Sequence, residues 1–273
     1  MVVSMQKNLI YQVWDGDLRP GCTYSEKLFR YYANMIDADY RLDLNPNIAS
    51  KHVKGKDGMY FEWLNPILDD SFLDYDKVLV VDLDIFPVDK LKNNIFNESV
   101  KDFYICTEPF QGKYRASTNV PGNINMKNDE RWASEVKRLY GSAMPRDVDG
   151  YLKVYNAGMV MFTKKGMKLA REKFTPFQDY INNMQKTGLS RFYTVDQNYF
   201  HAMMVTHSDY TEKQNGWNSY IHYTRGPLGM IDPVHDSRNA FTKFVHVQLS
   251  GADYFHTDKL YHVVNSPRSK WEI

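Results

Sequence analysis

Runs of apolar residues along the chain predict the strands of a buried sheet. In chain order they cover residues 8–14, 39–44, 77–85, 102–107, 155–163 and 244–249. Most are short and rich in β-branched or aliphatic residues, as is typical of strands covered on both faces. The last four residues of the third run, 82–85, bring charge into it, at Asp82 and Asp84.

Between these strands, apolar positions recur at helical spacing. The pattern predicts helices over residues 57–68, 129–140, 165–174 and 176–185, with a first helix ending near residue 35 and a later one opening at residues 194–197. Thr23 or Ser25 is the expected cap of the first helix, and Thr194 or Asp196 that of the later one. Residues 119–127, rich in Pro, Gly and Asn, are predicted to form a loop.

Strands and helices alternate in the first half of the chain, and the spacing loosens towards the C-terminus. Alternation of this kind indicates an α/β fold with an open, mixed but mostly parallel sheet flanked by helices. The sequence contains no internal repeat, low-complexity tract or clear linker. We therefore expect residues 1–273 to form a single domain.

Composition and charge narrow the class of protein. With 43% hydrophobic and 25% charged residues and a net charge of +1, the chain resembles an ordinary globular protein and offers nothing that attracts nucleic acid. Cys22 and Cys106 form neither a disulfide framework nor a zinc pattern. No signal peptide or membrane-spanning segment is evident, so a soluble, cytoplasmic protein is the expectation.

The most informative residues are Asp82 and Asp84, which follow the apolar residues of the third strand. Side chains at positions i and i+2 of a strand point the same way, so the two carboxylates repel each other and lose hydration. A divalent cation would remove that cost. Oxygen ligands suit Mn²⁺ or Mg²⁺, with a diphosphate filling the remaining positions. The competing interpretation is a solvated corner that happens to carry two acids.

Other polar residues follow the ends of predicted strands, where open α/β sheets bind their ligands. They are Trp14, Asp15 and Gly16 after the first strand, Glu108 after the fourth, the segment Asn156-Ala157-Gly158 at the fifth, and His246 with Ser250 and Gly251 at the last.

Five segments occur in an order that resembles a known group. They are Val-Asp-Leu-Asp-Ile-Phe (81–86), Tyr-Asn-Ala-Gly-Met-Val-Met-Phe (155–162), Val-Asp-Gln-Asn-Tyr-Phe (195–200), Gly-Trp-Asn (216–218) and Val-His-Val-Gln-Leu-Ser-Gly (245–251). Each is weak alone. Together they resemble nucleotide-sugar glycosyltransferases of the GT-A fold, most closely the retaining family 8 that contains glycogenin and the bacterial lipooligosaccharide galactosyltransferases.

The resemblance implies a metal site and a donor site. Asp82 and Asp84 match the Asp-x-Asp motif that holds Mn²⁺ (or Mg²⁺), and His246 matches the histidine that completes the metal site. Trp14 and Asp15 occupy the place where the family binds uracil and ribose, and Gly251 matches a donor-binding glycine.

The same resemblance assigns residues to the donor sugar. Asn156 and Gly158 match the strand that faces the sugar, while Asp196 and Gln197 match the pair that lies against the sugar hydroxyls and the anomeric carbon. With Asn156, this pair gives the predicted catalytic residues.

Two further parts of the family pattern are a tryptophan–asparagine pair and a lysine. Trp217 and Asn218 match the pair, whose role is largely structural. The lysine, which binds the diphosphate after the histidine, is missing here. Lys259, Lys243, Arg225 and Lys77 are the alternatives.

The implied function is transfer of a hexosyl or pentosyl group from a UDP-sugar to a hydroxyl of a saccharide or glycoconjugate acceptor, with retention of configuration. An inverting enzyme stays open as the alternative, with Glu108, Asp147, Asp149 or Asp196 as the general base. Residues 119–125 are predicted to form a lid over the donor.

Two other classes of protein are less well supported. A sugar nucleotidyltransferase would favour a glycine- and lysine-rich loop after the first strand, whereas the loop here is Trp-Asp-Gly-Asp. A non-catalytic sugar-binding protein would have no need of a three-ligand metal site.

Overall fold

The computed structural model describes residues 6–108, 110–117, 124–213, 216–226, 229–248 and 257–266, without the side chains of 222–235, 248 and 257–259. Contacts divide the chain into two compact units. Unit 1 takes its residues from 1–46, 77–99 and 214–273, and unit 2 from 47–76 and 100–213. Whether residues 1–273 act as a single domain stays a prediction.

The strands are, in chain order, β1 (Asn8–Trp14), β2 (Asp39–Leu44), β3 (Lys77–Val81), β4 (Ile85–Pro87), β5 (Phe103–Thr107), β6 (Tyr155–Thr163), β7 (Tyr210–Lys213), β8 (Ser219–Gly226), β9 (Gly229–Asp236) and β10 (Phe244–Gln248). The α-helices are α1 (Pro20–Met35), α2 (Gln111–Ser117), α3 (Met126–Tyr140), α4 (Lys164–Lys173), α5 (Phe177–Gln185), α6 (Asp196–His207) and α7 (Thr257–Asn265). Short 3₁₀ helices span Ala49–His52, Lys56–Ile67, Asp70–Asp74, Ile95–Asn97 and Arg191–Thr194.

Unit 1 contains two sets of paired strands. In the first, β1 lies between β2 and β3 and is parallel to both, so the carboxyl ends of β1 and β3 lie at the same edge. In the second, β10 pairs antiparallel with β4 and parallel with β8, which is antiparallel to β9. Phe86, Val245 and Val247 form a buried core with Leu260 of α7.

Unit 2 is organised around β5, which pairs antiparallel with β6 and parallel with β7. Large aromatic side chains fill its core. Phe200 of α6 makes ring contacts with Phe103, Phe162 and Phe174 at centroid distances of 5.4–6.2 Å. Burial of such rings is the main source of stability for a layer of helix on sheet.

The predicted α/β fold, with a mixed and mostly parallel sheet flanked by helices, is confirmed. The strand bounds 8–14, 39–44 and 155–163 are also confirmed. The predicted lid, residues 119–125, lies largely outside the described residues, because residues 118–123 are not described.

The predicted strand over residues 77–85 is wrong in one respect. β3 ends at Val81, and Asp82 to Ile85 form a turn in which the Ile85 amide donates to the Asp82 carbonyl at 3.2 Å. The chain turns there because β4 pairs with β10, whereas β3 pairs with β1. Leu83 is buried within the turn, between the two aspartates.

The predicted helix caps are wrong. α1 begins at Pro20, whose fixed φ suits a first helical position, and no side chain caps it. Ser25 is instead buried inside the helix. α6 begins at Asp196 after Val195, again without a side-chain cap, so neither Thr194 nor Asp196 serves as one. The predicted helix over residues 57–68 is a 3₁₀ helix that contains Pro66.

Candidate functional site

Asp82, Asp84 and His246 converge in unit 1. One ligand atom from each of the three side chains lies within 4.8 Å of the other two. His246 Nε2 is 3.2 Å from Asp84 Oδ1, and the side chains of Asp84 and His246 are 28% and 4% exposed. The cluster is therefore buried on the histidine side and open on the aspartate side.

Strand pairing brings these distant residues together. His246 lies opposite Ile85 in the antiparallel pair of β10 and β4, and the Val247 amide donates to the Asp84 carbonyl at 3.0 Å. Because β4 starts directly after the turn, its pairing fixes the histidine beside the second aspartate.

Two buried polar side chains hold the turn from the other side. Ser25 Oγ of α1 donates to the Ile85 carbonyl at 2.6 Å. Gln12 Nε2 of β1 lies 3.1 Å from Ser25 Oγ and donates to the Asp82 carbonyl at 3.3 Å. The sequence prediction missed both residues, although a glutamine inside the apolar run of β1 was a signal that a buried polar contact had to exist.

The cluster fits a hard divalent cation. Two carboxylates and an imidazole are suitable ligands for Mn²⁺ or Mg²⁺. Asp84 Oδ1 is buried and accepts no hydrogen bond from the described residues, so its desolvation cost is not met by a protein donor. The identity of the metal stays a prediction.

Trp14 ends β1 and Asp15 follows it, at the carboxyl edge that β1 shares with β3. Trp14 Nε1 donates to the Asp17 carbonyl at 3.0 Å, and Asp15 is exposed. The Gly16 amide donates to Asn45 Oδ1, and Gly16 has φ +103°, which a residue with a side chain rarely adopts. The loop is thus held in shape on this edge. Gly251 and Ser250 lie outside the described residues.

Unit 2 contains a second polar cluster, built around a bulge in β6. The pairing of β5 with β6 shifts between Ile105, which faces Val160, and Cys106, which faces Asn156. The amides of Ala157 and Gly158 turn to side chains instead: Gly158 donates to Asn156 Oδ1 at 2.9 Å, and Ala157 donates to Gln197 Oε1 at 3.5 Å. Bulges of this kind are common beside active sites.

Asn156 is itself held by an acid. Its Nδ2 donates to Glu108 Oε1 at 2.8 Å, and both residues are buried, at 2% and 4% exposure. Both ends of the Asn156 amide therefore contact the protein.

Asp196 is fixed by a residue far away in the sequence. Trp63 Nε1 donates to Asp196 Oδ2 at 2.7 Å. Burial raises the pKa of Asp196 to about 6, although the Trp63 hydrogen bond opposes the shift. The carboxylate is thus poorly solvated in its charged form, and the sequence offered no signal of the tryptophan that holds it.

Trp217 and Asn218 are buried in unit 1. Trp217 Nε1 donates to Glu98 Oε1 at 2.8 Å, and Asn218 Nδ2 donates to the Tyr220 hydroxyl at 3.1 Å. A structural role for the pair, which the resemblance implied, stays a prediction that these internal contacts support.

Of the four basic residues predicted as alternatives for binding the diphosphate, the structure describes the side chains of two, Lys77 and Lys243. Lys77 Nζ donates to the carbonyls of Phe96 and Glu98, and Lys77 lies at the opposite end of β3 from Asp82, so this alternative is wrong. Lys243 lies beside Val88, at the far end of β4 from Asp84, with its Nζ 4.9 Å from the Trp217 ring. The side chains of Arg225 and Lys259 are not described.

Among the alternative general bases, Glu108 differs from the two loop aspartates. Asp147 Oδ1 accepts the amides of Asp149 and Tyr151, an arrangement that shapes a surface turn, and Asp149 is exposed. Glu108 is buried and contacts Asn156, as described above.

No protein-family profile and no curated protein matches the sequence. Solved structures do resemble it. The apo structure of the bifunctional glycosyltransferase WbbM matches with a TM-score of 0.52 and 12% identity over 89% of this chain, which spans 46% of the length of WbbM. At this identity the likeness establishes a shared fold, which confirms the GT-A fold expected from the sequence.

Two other solved structures match less closely. The galactosyltransferase LgtC, in complex with donor and acceptor sugar analogues, has a TM-score of 0.49 and 12% identity over 96% of this chain and 98% of its own. Mouse xyloside xylosyltransferase 1 has a TM-score of 0.46 and 10% identity, over 89% and 97% of the two chains.

Among the described residues, no helix has both the length and the hydrophobicity that crossing a membrane requires.

Proposed function

We propose that this protein is a metal-dependent glycosyltransferase that moves a hexosyl or pentosyl group from a UDP-sugar to a hydroxyl of a saccharide or glycoconjugate. One observation carries the proposal: Asp82, Asp84 and His246, from distant parts of the sequence, place ligand atoms within 4.8 Å of one another. The GT-A fold gives this cluster its functional context.

Asp82, Asp84 and His246 would hold the cation. When bound, a divalent cation offsets the charge that develops on a departing diphosphate. The protein supplies the ligands at low cost in conformational freedom, because β4–β10 pairing and the contacts of Gln12 and Ser25 already fix the turn. Trp14 and Asp15, at the same edge of unit 1, would bind the base and the ribose.

In unit 2, we assign Asn156, Gly158, Asp196 and Gln197 to the donor sugar. Gln197 Oε1 accepts the Ala157 amide, which orients the side chain through its oxygen rather than its Nε2 donors. Burial raises the pKa of Asp196 against the opposing Trp63 hydrogen bond, so its charged form lacks the stabilisation that water would give. A sugar centre that gains positive charge in the transition state would supply what this carboxylate lacks.

We propose that the reaction retains the anomeric configuration of the sugar. A retaining reaction does not require any side chain to act as a strong base. An inverting reaction is the second candidate, and one observation favours it: the buried Glu108 carboxylate is fixed against Asn156 at 2.8 Å. The proton NMR signal of the anomeric position in the product distinguishes the two. A product with the configuration opposite to the donor's would exclude retention and leave the transferase proposal standing.

The metal proposal is tested by titrating Mn²⁺ into the wild type, Asp84→Asn and His246→Ala by calorimetry, and by measuring Mn²⁺-dependent release of UDP from UDP-sugars. We expect each variant to bind Mn²⁺ at least tenfold more weakly and to lose the metal-dependent turnover. Asp89→Asn is the matched control, since Asp89 is an exposed acid beyond the other end of β4. A wild type that binds no divalent cation and releases no UDP would refute the proposal.

A further inference from the structure

A buried relay of hydrogen bonds joins β2 to the turn that follows β3, from Asp82 to Ile85. The Tyr40 hydroxyl of β2 donates to Gln12 Oε1 at 2.8 Å. Gln12 Nε2 donates to Ser25 Oγ at 3.1 Å and to the Asp82 carbonyl at 3.3 Å. Ser25 Oγ then donates to the Ile85 carbonyl at 2.6 Å. Because Gln12 and Ser25 are fully buried, Tyr40 is connected to the first and last residues of the turn without passing through solvent.

The direction of the hydrogen bonds in this relay follows from the carbonyls of the turn. A carbonyl can only accept, so the Asp82 carbonyl requires the Nε2 end of the Gln12 amide. The Oε1 end then faces Tyr40, whose hydroxyl has to donate. With the amide reversed, Gln12 Oε1 would lie against the Asp82 carbonyl, and two buried acceptors would face each other at a cost. The Tyr40 hydroxyl therefore favours the one orientation in which Gln12 binds the turn.

Tyr40 is suited to this role because its ring and its proton are both held. The half-buried ring lies against Arg30 of α1, whose Cζ is 4.7 Å from the ring centre, and Arg30 pairs with Glu26 at 2.8 Å. Burial raises the pKa of the Tyr40 hydroxyl and Glu26 raises it further, while Arg30 opposes the shift. The hydroxyl therefore keeps its proton, and remains a donor, throughout the neutral range of pH.

The relay and β10 hold the turn at different points. The Val247 amide of β10 donates to the Asp84 carbonyl, whereas Gln12 contacts the Asp82 carbonyl. The separation of the two carboxylates depends on the backbone between these residues, so it depends on both contacts. Loss of the relay should leave Asp84 beside His246 and restrain Asp82 less.

We propose that Tyr40 and Gln12 are positioning residues of the candidate metal site: the Tyr40 hydroxyl fixes the Gln12 amide, and the amide fixes the backbone that carries Asp82 and Asp84. The inference rests on the function proposed above, because it concerns the same cation. It adds a residue of β2 that the sequence did not indicate. Loss of a contact behind the ligands of a metal typically lowers the affinity about 10- to 100-fold.

The test compares the wild type with Tyr40→Phe, Gln12→Met, the double variant and Tyr11→Phe. Tyr11→Phe is the matched control. Tyr11 is fully buried next to Gln12 on β1, and its hydroxyl donates to Asp43 Oδ2 at 3.1 Å. Because side chains alternate along a strand, Tyr11 faces the other side of the sheet from Gln12. Each change to Phe removes one hydroxyl donor from this sheet, but only Tyr40→Phe removes it from the relay.

Two quantities are measured. Calorimetry gives the affinity for Mn²⁺, and hydrogen exchange of the metal-free protein gives the protection of the Ile85 amide, which donates to the Asp82 carbonyl across the turn. We expect Tyr40→Phe to weaken Mn²⁺ binding about tenfold and to speed exchange at Ile85, and Tyr11→Phe to change neither. Metal-free melting temperatures should fall by similar amounts in these two variants, so that general destabilisation does not account for the difference.

The double variant tests whether Tyr40 acts through Gln12. Gln12→Met lacks the amide, so it should weaken Mn²⁺ binding at least as much as Tyr40→Phe does. In that background Tyr40→Phe should have no further effect on the affinity, because its partner is gone. Losses that add in the double variant would overturn the role of Gln12. If Gln12→Met does not fold, the more conservative Tyr40→Phe still decides: unchanged exchange at Ile85 would overturn the inference.

The two proposals fail in distinguishable ways. If Tyr40→Phe binds Mn²⁺ as tightly as the wild type does, the inference is wrong and the proposed function stands. If Tyr40→Phe weakens Mn²⁺ binding but the wild type releases no UDP from any UDP-sugar, the proposed transfer is wrong and the positioning role stands. A wild type that binds no divalent cation refutes both.

Discussion

The two units differ in whether their buried carboxylates accept hydrogen bonds from the protein. In unit 2, Asp129 accepts hydrogen bonds from Arg115 at 3.2 Å and from the Tyr193 hydroxyl at 2.8 Å, so that an acid, a base and a phenol satisfy one another. In unit 1, Asp84 Oδ1 is buried and accepts no hydrogen bond from the described residues. A buried carboxylate that accepts hydrogen bonds from protein donors indicates a structural role. A buried carboxylate oxygen that accepts none from the described residues indicates a role in binding a ligand.

The largest effect expected from this difference is the removal of the paired acid. The side chains of Arg115 and Asp129 are only 8% and 11% exposed, so Asp129→Ala leaves a buried guanidinium without its acid and should lower the unfolding free energy by about 3–5 kcal/mol. Urea denaturation measures it. The neighbouring Glu130→Gln is the control, because Glu130 pairs with Arg146 on the surface and its loss should cost less than about 1 kcal/mol. Equal losses for the two variants would contradict the comparison.

Replacing Asp196 should have an effect of intermediate size on the unfolding free energy, and this effect should depend on pH. Its pKa of about 6 exceeds the ordinary value of 3.8, so the folded protein holds a proton that the unfolded chain has released between these pH values. Stability from this group is therefore present below pH 4 and lost as the pH rises through 6.

The variant Asp196→Asn has no carboxyl group at this position, so it does not lose stability in this way as the pH rises. Its unfolding free energy, minus that of the wild type, should rise between pH 4 and pH 6 by up to about 3 kcal/mol, at 1.36 kcal/mol for each unit of pKa. Denaturation at four pH values measures the difference. Asp209→Asn, an exposed acid in the same unit, should show no such trend. A difference for Asp196→Asn that does not vary with pH would exclude the raised pKa.

The smallest effect is expected in unit 1, and its sign is the opposite of that for Asp129. Without metal, Asp84→Asn removes one of two adjacent like charges and should leave the unfolding free energy unchanged or raise it by up to about 1 kcal/mol. Added Mn²⁺ should raise the melting temperature of the wild type and not that of the variant. A metal-free variant less stable than the wild type by more than about 1 kcal/mol would show that the Asp84 carboxylate already has a structural partner.

The sequence predicted the strands that a local apolar run marks, whereas β7, β8 and β9 were missed. The apolar run of β6 and the aspartate pair after β3 can each be read within ten residues. The helix starts were predicted poorly, because a serine or threonine near a helix start has competing uses. Ser25 shows this: its hydroxyl contacts the Ile85 carbonyl, sixty residues further along the chain.

The candidate site was predictable only where a motif marked it. Asp82, Asp84 and His246 converge as expected, but the order of motifs did not reveal that Gln12 and Ser25 hold the turn or that Trp63 holds Asp196. These contacts join residues far apart in sequence, and nothing local distinguishes such a tryptophan from others. The assignment of Asn156, Gly158, Asp196 and Gln197 to the sugar stays a prediction.

The bulge in β6 provides a built-in reporter for that prediction. The Ala157 and Gly158 amides, which the register of β5 with β6 skips, donate to the side chains of Gln197 and Asn156. Their rates of exchange with deuterium therefore depend on where those two side chains are. A ligand that draws Gln197 away would speed exchange at Ala157 while Gly158 stays protected, so two adjacent amide protons can record which side chain a bound sugar engages.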